Sequence, residues 1–229
     1  MSTRTAGTWV GALYRWRRWL WLVPAVPAAA TALLIMVVLP PDQTLDDVGE
    51  WLFKLSPFLF AVAAVALFPR GRFGPALIVL GVVGYMSYVD TELVIRIQDY
   101  GRAAATDDDA FQPVYQFELF VTTFIVLLAL LAYRLGGGRT ANVLKTGVAA
   151  VLVVVSGLND LTFWALNEVW SAGSRPTELR WASHIIVFLG GPPSVPAAVV
   201  FMVVHLALAG LVLALPVARW VDRALATGA

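Results

Sequence analysis

The chain has 229 residues, 59% hydrophobic and 14% charged, with a mean hydropathy of +0.78 and a formal net charge of +1 at pH 7. Soluble domains average about 45–50% apolar and about 25% charged, so this composition belongs to the membrane class, and the lack of a basic stripe excludes a nucleic-acid footprint. The absence of cysteine removes disulfide exchange, thiolate metal sites, iron–sulfur clusters and thiol nucleophiles in one step.

Crossing about 30 Å of hydrocarbon takes roughly 20 apolar residues. Residues 19–39, 51–68, 75–95, 113–133, 146–170 and 194–215 meet that requirement. They predict an all-α integral membrane protein, a six-helix transmembrane bundle forming one domain over 1–229. The first run is too long for a cleavable signal peptide and lacks a small-residue cleavage site, so it reads as a retained helix. PPDQTLDDVGEW leads into the second span with Thr44 as the expected N-cap, and Pro57 predicts a kink within it. QDYGRAAATDDDAFQP joins the third and fourth spans as an outer loop. Its 107–109 aspartate run lacks the glycine and later glutamate of a calcium loop. The glycines at 136–138 fall in a hairpin with no strand and no Lys-Ser/Thr pair, so they do not form a phosphate loop. WASHIIVFLGGPPS, from Trp181, is too short to span twice and predicts a short interfacial or re-entrant helix stopped by the glycines and prolines at 190–193. Ser194 then caps the last span, with Pro196 in its first turn, where a missing N–H costs nothing.

Orientation follows from the cations. With six spans, Arg4, Arg15, Arg17, Arg18, Arg70, Arg72, Arg134, Arg139, Lys145, Arg219 and Arg223 share one side, which the positive-inside rule makes cytoplasmic. Lys54, Arg96, Arg102, Arg175 and Arg180 lie opposite, and all the acids except Asp222 fall there or in the outer halves of helices. Both termini are therefore expected inside a cell (plasma) membrane, here a bacterial inner membrane. Trp16, Trp19, Trp21, Tyr133, Trp170, Trp181 and Trp220 fall at the expected boundaries, as an aromatic belt does. Glu50–Lys54 and Glu92–Arg96 are spaced for salt bridges on the outer rim.

The fifth span contains SGLNDLTFWALNE, residues 156–168, at the end of an otherwise apolar run. An ionisable group at that depth is expensive and normally faces the bundle interior with a partner. In an unbroken helix Asp160 lies about 15 Å from the outer end of span five, and His205 about 16 Å into span six, at 1.5 Å per residue. Sequential antiparallel spans are neighbours, which makes Asp160 and His205 the expected acid–base pair, with Glu118 or Asp90 as a second carboxylate. Ser156, Asp160, Phe163 and Asn167 are spaced as one helical stripe. With Asn159, Trp164, Tyr115 and His184 they are the expected lining of an outward-facing pocket, the aromatic rings suiting an apolar substrate or a cation.

Asn159 and Asp160 also fit a plainer role as interhelical hydrogen-bond glue. His184 belongs near the surface and His205 near the middle, which does not suit a bis-histidine haem, and no zinc-type spacing is present, so no metal site is expected. No cofactor is indicated. Three functions fit the pocket. One is a membrane-embedded acid–base enzyme acting on a lipid or isoprenoid-like substrate. Another is a non-catalytic subunit or assembly partner, and the third a small proton-coupled transporter. The expected partners are the lipid bilayer and a lipid-like small molecule, with no nucleic acid. Gly81, Gly84, Ala207 and Gly210 leave room for partner helices or a homo-oligomer.

Overall fold

A computed structural model describes residues 15–40, 45–69, 74–104, 110–167, 175–217 and 219. Thr44, Arg4, Arg70, Arg72, Trp170, Trp220, Asp222, Arg223 and the 107–109 run lie outside them. Among the described residues the regular elements are helices: α1 (Leu22–Leu33), α2 (Val48–Leu67), α3 (Gly74–Gly84), α4 (Asp90–Ala103), α5 (Gln112–Leu135), α6 (Thr140–Val154), α7 (Leu158–Leu166), α8 (Ser183–Leu189) and α9 (Val195–Ala214). Two wide π turns, Leu34–Val38 and Tyr85–Val89, prolong α1 and join α3 to α4. The helices fall into two compact units: Met1–Asp42, Pro57–Gly147 and Pro216–Ala229 in the first, Gln43–Ser56 and Val148–Leu215 in the second.

Four helices are long and apolar enough to cross a membrane, or five if the bent pair α6–α7 is one span. The first expected span is represented by Leu22–Val38, a shorter apolar helix just below that length. Two expected boundaries move. The third span continues to Ala103, so 98–103, read as loop, is helical, and the whole Gly74–Ala103 rod has 30 residues. Hydropathy misses its polar C-terminal part, where Glu92–Arg96 (3.0 Å) and Asp99–Arg102 (2.9 Å) pair along the helix surface. The fifth span starts earlier, at Thr140, and is interrupted after Val154.

Local rules explain the ends. Asp47 takes the role expected of Thr44: its Oδ1 accepts from Glu50 N at 2.8 Å, while Glu50 Oε2 accepts from Asp46 N at 2.8 Å, a reciprocal cap of the α2 N-terminus. Glu50 also pairs with Lys54 at 2.8 Å, as its spacing predicts. The helix runs unbroken through Pro57.

In the first unit, Val89, Phe117 and Val121 are buried against Met36, Tyr85, Leu93, Phe120 and Phe124, joining the two π turns to α5. A π turn frees a backbone carbonyl, and one such oxygen, that of Ile35, accepts from Gln116 Nε2 at 3.2 Å. The α5–α6 turn is held by Arg134, whose Nε donates to Phe68 O (2.8 Å) and Nη1 to Gly138 O (2.9 Å). Gly81 lets Leu128 approach within 2.6 Å of where a Cβ would stand.

At Gly147 a Cβ would collide with the Val62 methyls and press on Leu130, so only glycine allows this contact between α6 and the neighbouring helices. Gly147→Ala should overpack it, and overpacking of this kind typically costs about 1–3 kcal/mol. Unfolding of the purified protein in detergent micelles should show the loss. An unchanged midpoint would mean that the helices separate freely at this point.

Candidate functional site

The site lies in the second unit and begins with the interruption of the fifth span. Val153, Val154 and Val155 are β-branched, and Ser156 Oγ donates back to Val153 O at 2.7 Å, competing with the helix ladder. Gly157 then takes φ +76°, the left-handed conformation that ends one helix and here precedes the next. An L side chain there would cost about 1–2 kcal/mol. It would also collide with Ile185, whose Cδ1 lies 2.7 Å from the position of a Cβ. The result is a 41° bend between α6 and α7 and a new helix N-terminus inside the apolar run. Ser156 Oγ accepts from Leu158 N at 3.2 Å and so satisfies one of the freed donors.

Asp160 follows in the first turn of α7, where an acid interacts favourably with the helix dipole. It is 4% exposed. Above it, residues 177–195 form a closed cap. Leu179 N donates to Pro193 O (2.9 Å) and Val195 N to Thr177 O (3.1 Å), making the antiparallel bridge between Glu178 and Ser194. Within that cap stands α8, the short helix expected from the sequence, ended by Gly190 at φ +76°. Ser194 caps α9 as expected, accepting from Ala197 N at 3.4 Å. Leu161, Leu179, Ala182, Ile185 and Ala198 form the buried cluster that fastens α8 to α7 and α9, with Trp164, Trp181 and Phe201 packed on it.

This packing sets His184 against Asp160. Its Nε2 lies 3.6 Å from Asp160 Oδ2, close enough for an ion pair but longer than a hydrogen bond. Nε2 is buried and makes no hydrogen bond among the described residues. Burial, and secondarily the charge of His205, push the His184 ring down from its ordinary 6.5 to about 4, so it is neutral at pH 7. No family model, curated protein or solved structure matches the chain. The chemistry of the site is therefore read from its own geometry.

The expected place of His205 beside Asp160 is taken by His184. His205 is turned to its own helix, with Nδ1 2.9 Å from Phe201 O, and its ring lies 4.2 Å from that of Phe201. The same Phe201 ring meets His184 at 6.4 Å and Phe188 at 6.0 Å, so one aromatic ring touches both histidines. An unbroken span ending at 170 would put Asp160 about 15 Å from that end. Because α7 ends at Leu166, Asp160 is only about 9 Å from that end.

The expected stripe is likewise broken. Ser156 and Asp160 are both buried, but Phe163 is 52% exposed, edge-on to Trp181 at 5.6 Å, and Asn167 is the residue that ends α7. Asn159, beside Asp160 in sequence, is exposed. Trp164, one turn after Asp160, donates from Nε1 to Pro176 O at 2.8 Å and carries the Arg175 guanidinium 5.6 Å from its ring centre. Glu118, Asp90 and Tyr115 belong to the first unit, Glu118 exposed and the other two half-buried. Among the described residues no group of three His, Cys, Asp or Glu converges to hold a metal ion. The features that position the pair are Gly157 and Ile185; their sequence signal is a Ser-Gly step after a valine run.

A ring whose folded-state value is depressed binds its proton more readily in the unfolded chain. Stability is therefore full above about 6.5 and is lost as pH falls toward 4. A shift of that size corresponds to on the order of 3 kcal/mol. Unfolding in micelles at stepped pH should show the midpoint falling across this window, with the fall removed in His184→Gln. The same slope in both proteins would assign it to another group.

Proposed function

We propose that this chain is a multi-pass membrane enzyme in which Asp160 and His184 act as an acid–base pair on a lipid or isoprenoid-like substrate. The observation that carries the reading is a buried carboxyl set 3.6 Å from the buried Nε2 of a half-buried, neutral imidazole at the break of an apolar span. A neutral imidazole accepts a proton from a reacting group, and the adjacent carboxyl orients the ring and stabilises the cation that forms. The same proton then passes to the leaving group, so the pair is unchanged by the cycle. A separation longer than a hydrogen bond is common in ligand-free sites and tightens when substrate binds. The apolar substrate class rests on the helices that carry the pair: Phe163 and Leu166 of α7 and Phe188 and Leu189 of α8 are exposed apolar side chains. Arg175, held on Trp164, offers a guanidinium to an anionic group on such a substrate.

In this reading the chain has six spans in a bacterial inner membrane, both termini cytoplasmic and the α8 cap outside. Counting Leu22–Val38 and the bent pair as spans gives the six, and 17 residues is the lower limit of length for one. The native chain lacks cysteine, so single cysteines are clean probes. An impermeant maleimide should label Thr177→Cys in intact cells and Arg139→Cys only after permeabilisation. The reverse pattern would turn the topology over.

A second reading, a proton-coupled carrier, is favoured by the broken span, because half-helix ends near the bilayer middle are where carriers bind their ions. The two readings share the proton pair and differ in its product. In a host that depends on the gene, Asp160→Asn and His184→Gln should each abolish function while leaving the protein folded, and the double variant should be no worse than either, since groups acting as one unit are non-additive. Lipid profiles of the depleted host then distinguish conversion of a lipid from loss of uptake. Normal function with well-folded Asp160→Asn would reject both and leave a structural subunit.

A further inference from the structure

The face of α5 turned away from the buried cluster carries Tyr115, Glu118, Thr122, Ile125, Ala129 and Ala132, at alternating intervals of three and four. Such an alternation is the seam of two helices packed with a left-handed crossing, in membranes as in water. Val114, Phe117, Val121 and Leu130 are buried elsewhere on the helix, whereas Glu118, Ile125, Ala129 and Ala132 are exposed. α5 meets the length and apolarity of a membrane span, and Glu118 lies about 9 Å along it from Gln112. A carboxyl at that depth normally faces protein and pairs. Glu118 makes no hydrogen bond or ion pair among the described residues; of the cations on the same side, Arg102 is engaged with Asp99, and Arg96 with Glu92, Pro113 O and the Phe117 ring.

We propose that this seam is where two copies of the chain pair, with each Glu118 facing its counterpart across a two-fold axis along the membrane normal. Two copies inserted in the same direction bring identical residues opposite one another about such an axis. A carboxyl is suited to that place: the protonated form donates and its partner accepts, so the group is complementary to itself. A basic group on a foreign helix would also satisfy Glu118, but it does not account for a seam on which every other position is small, apolar or a hydroxyl-bearing side chain. Ala129 and Ala132 allow the backbones to approach closely toward one end, and the single polar position fixes the register, as a lone polar residue does in a coiled coil. This pairing stands independently of the Asp160–His184 reading, since it uses no residue of that site.

The test is disulfide cross-linking in native membranes. With an oxidant, Ile125→Cys and Ala132→Cys should each give a band of twice the chain mass, at least tenfold stronger than Val79→Cys and Val200→Cys, which are equally exposed apolar positions on α3 and α9. Adding Glu118→Gln to Ile125→Cys should preserve the band, because an amide also donates and accepts, and adding Glu118→Leu should weaken it several-fold. Equal bands at all four cysteines would mean random collision and overturn the proposal. So would no band at the seam, a seam band insensitive to Glu118→Leu, or a cross-link to a polypeptide of another mass, which would give the seam to a foreign helix.

Discussion

The second unit depends on the close approach of Ile185 to Gly157. A continuous helix through 155–157 would leave no gap for α8 to enter, and any side chain at 157 would fill the one that exists. Because the gap is there, Ile185 is fully buried, α8 is fixed, and the next side chain along it, His184, is delivered to Asp160. The same glycine starts the new helix whose first turn holds that carboxyl. One missing Cβ thus sets the bend, the cap and the polar pair.

In an apolar medium every backbone polar group needs a protein partner, and both units meet that demand with side chains where the helices falter. Ser156 covers the break in the fifth span and Gln116 the wide turn after α1, while Arg134 covers the helix end at Phe68 and the turn at Gly138. The first unit uses its polar side chains this way along its length. The second adds an ionisable pair, Asp160 and His184, set 3.6 Å apart.

Features governed by local rules were legible in the sequence. The Ser194 cap, the α8 helix with its glycine stop, and the two i,i+4 ion pairs each follow from residues within one turn of each other. Asp160 stood out by its cost in an apolar run. Its partner did not, because that depends on how a seven-residue helix is folded back onto α7 and α9, and a hydropathy profile carries no such information. The bend was present as Ser156–Gly157 but was outweighed by the sixteen apolar residues of the 146–170 run. The polar continuation of the third span escaped for the opposite reason: helix 98–103 is stabilised by ion pairs rather than by apolarity.

The wide turn at Tyr85–Val89 has a geometric consequence for the 30-residue rod that contains it. A π turn accommodates one more residue than an α turn, and each residue of an α-helix advances the azimuth by about 100°. Residues 90–103 are therefore rotated by about that angle from where a single regular helix beginning at Gly74 would place them. The C-terminal half is a second screw with its own phase, and it is this phase that carries the Arg96 guanidinium to 4.8 Å from the centre of the Phe117 ring. Removing one residue from 85–89 would restore a uniform helix and swing Asp90, Glu92 and Arg96 together onto a different side, with no change to the N-terminal half of the rod.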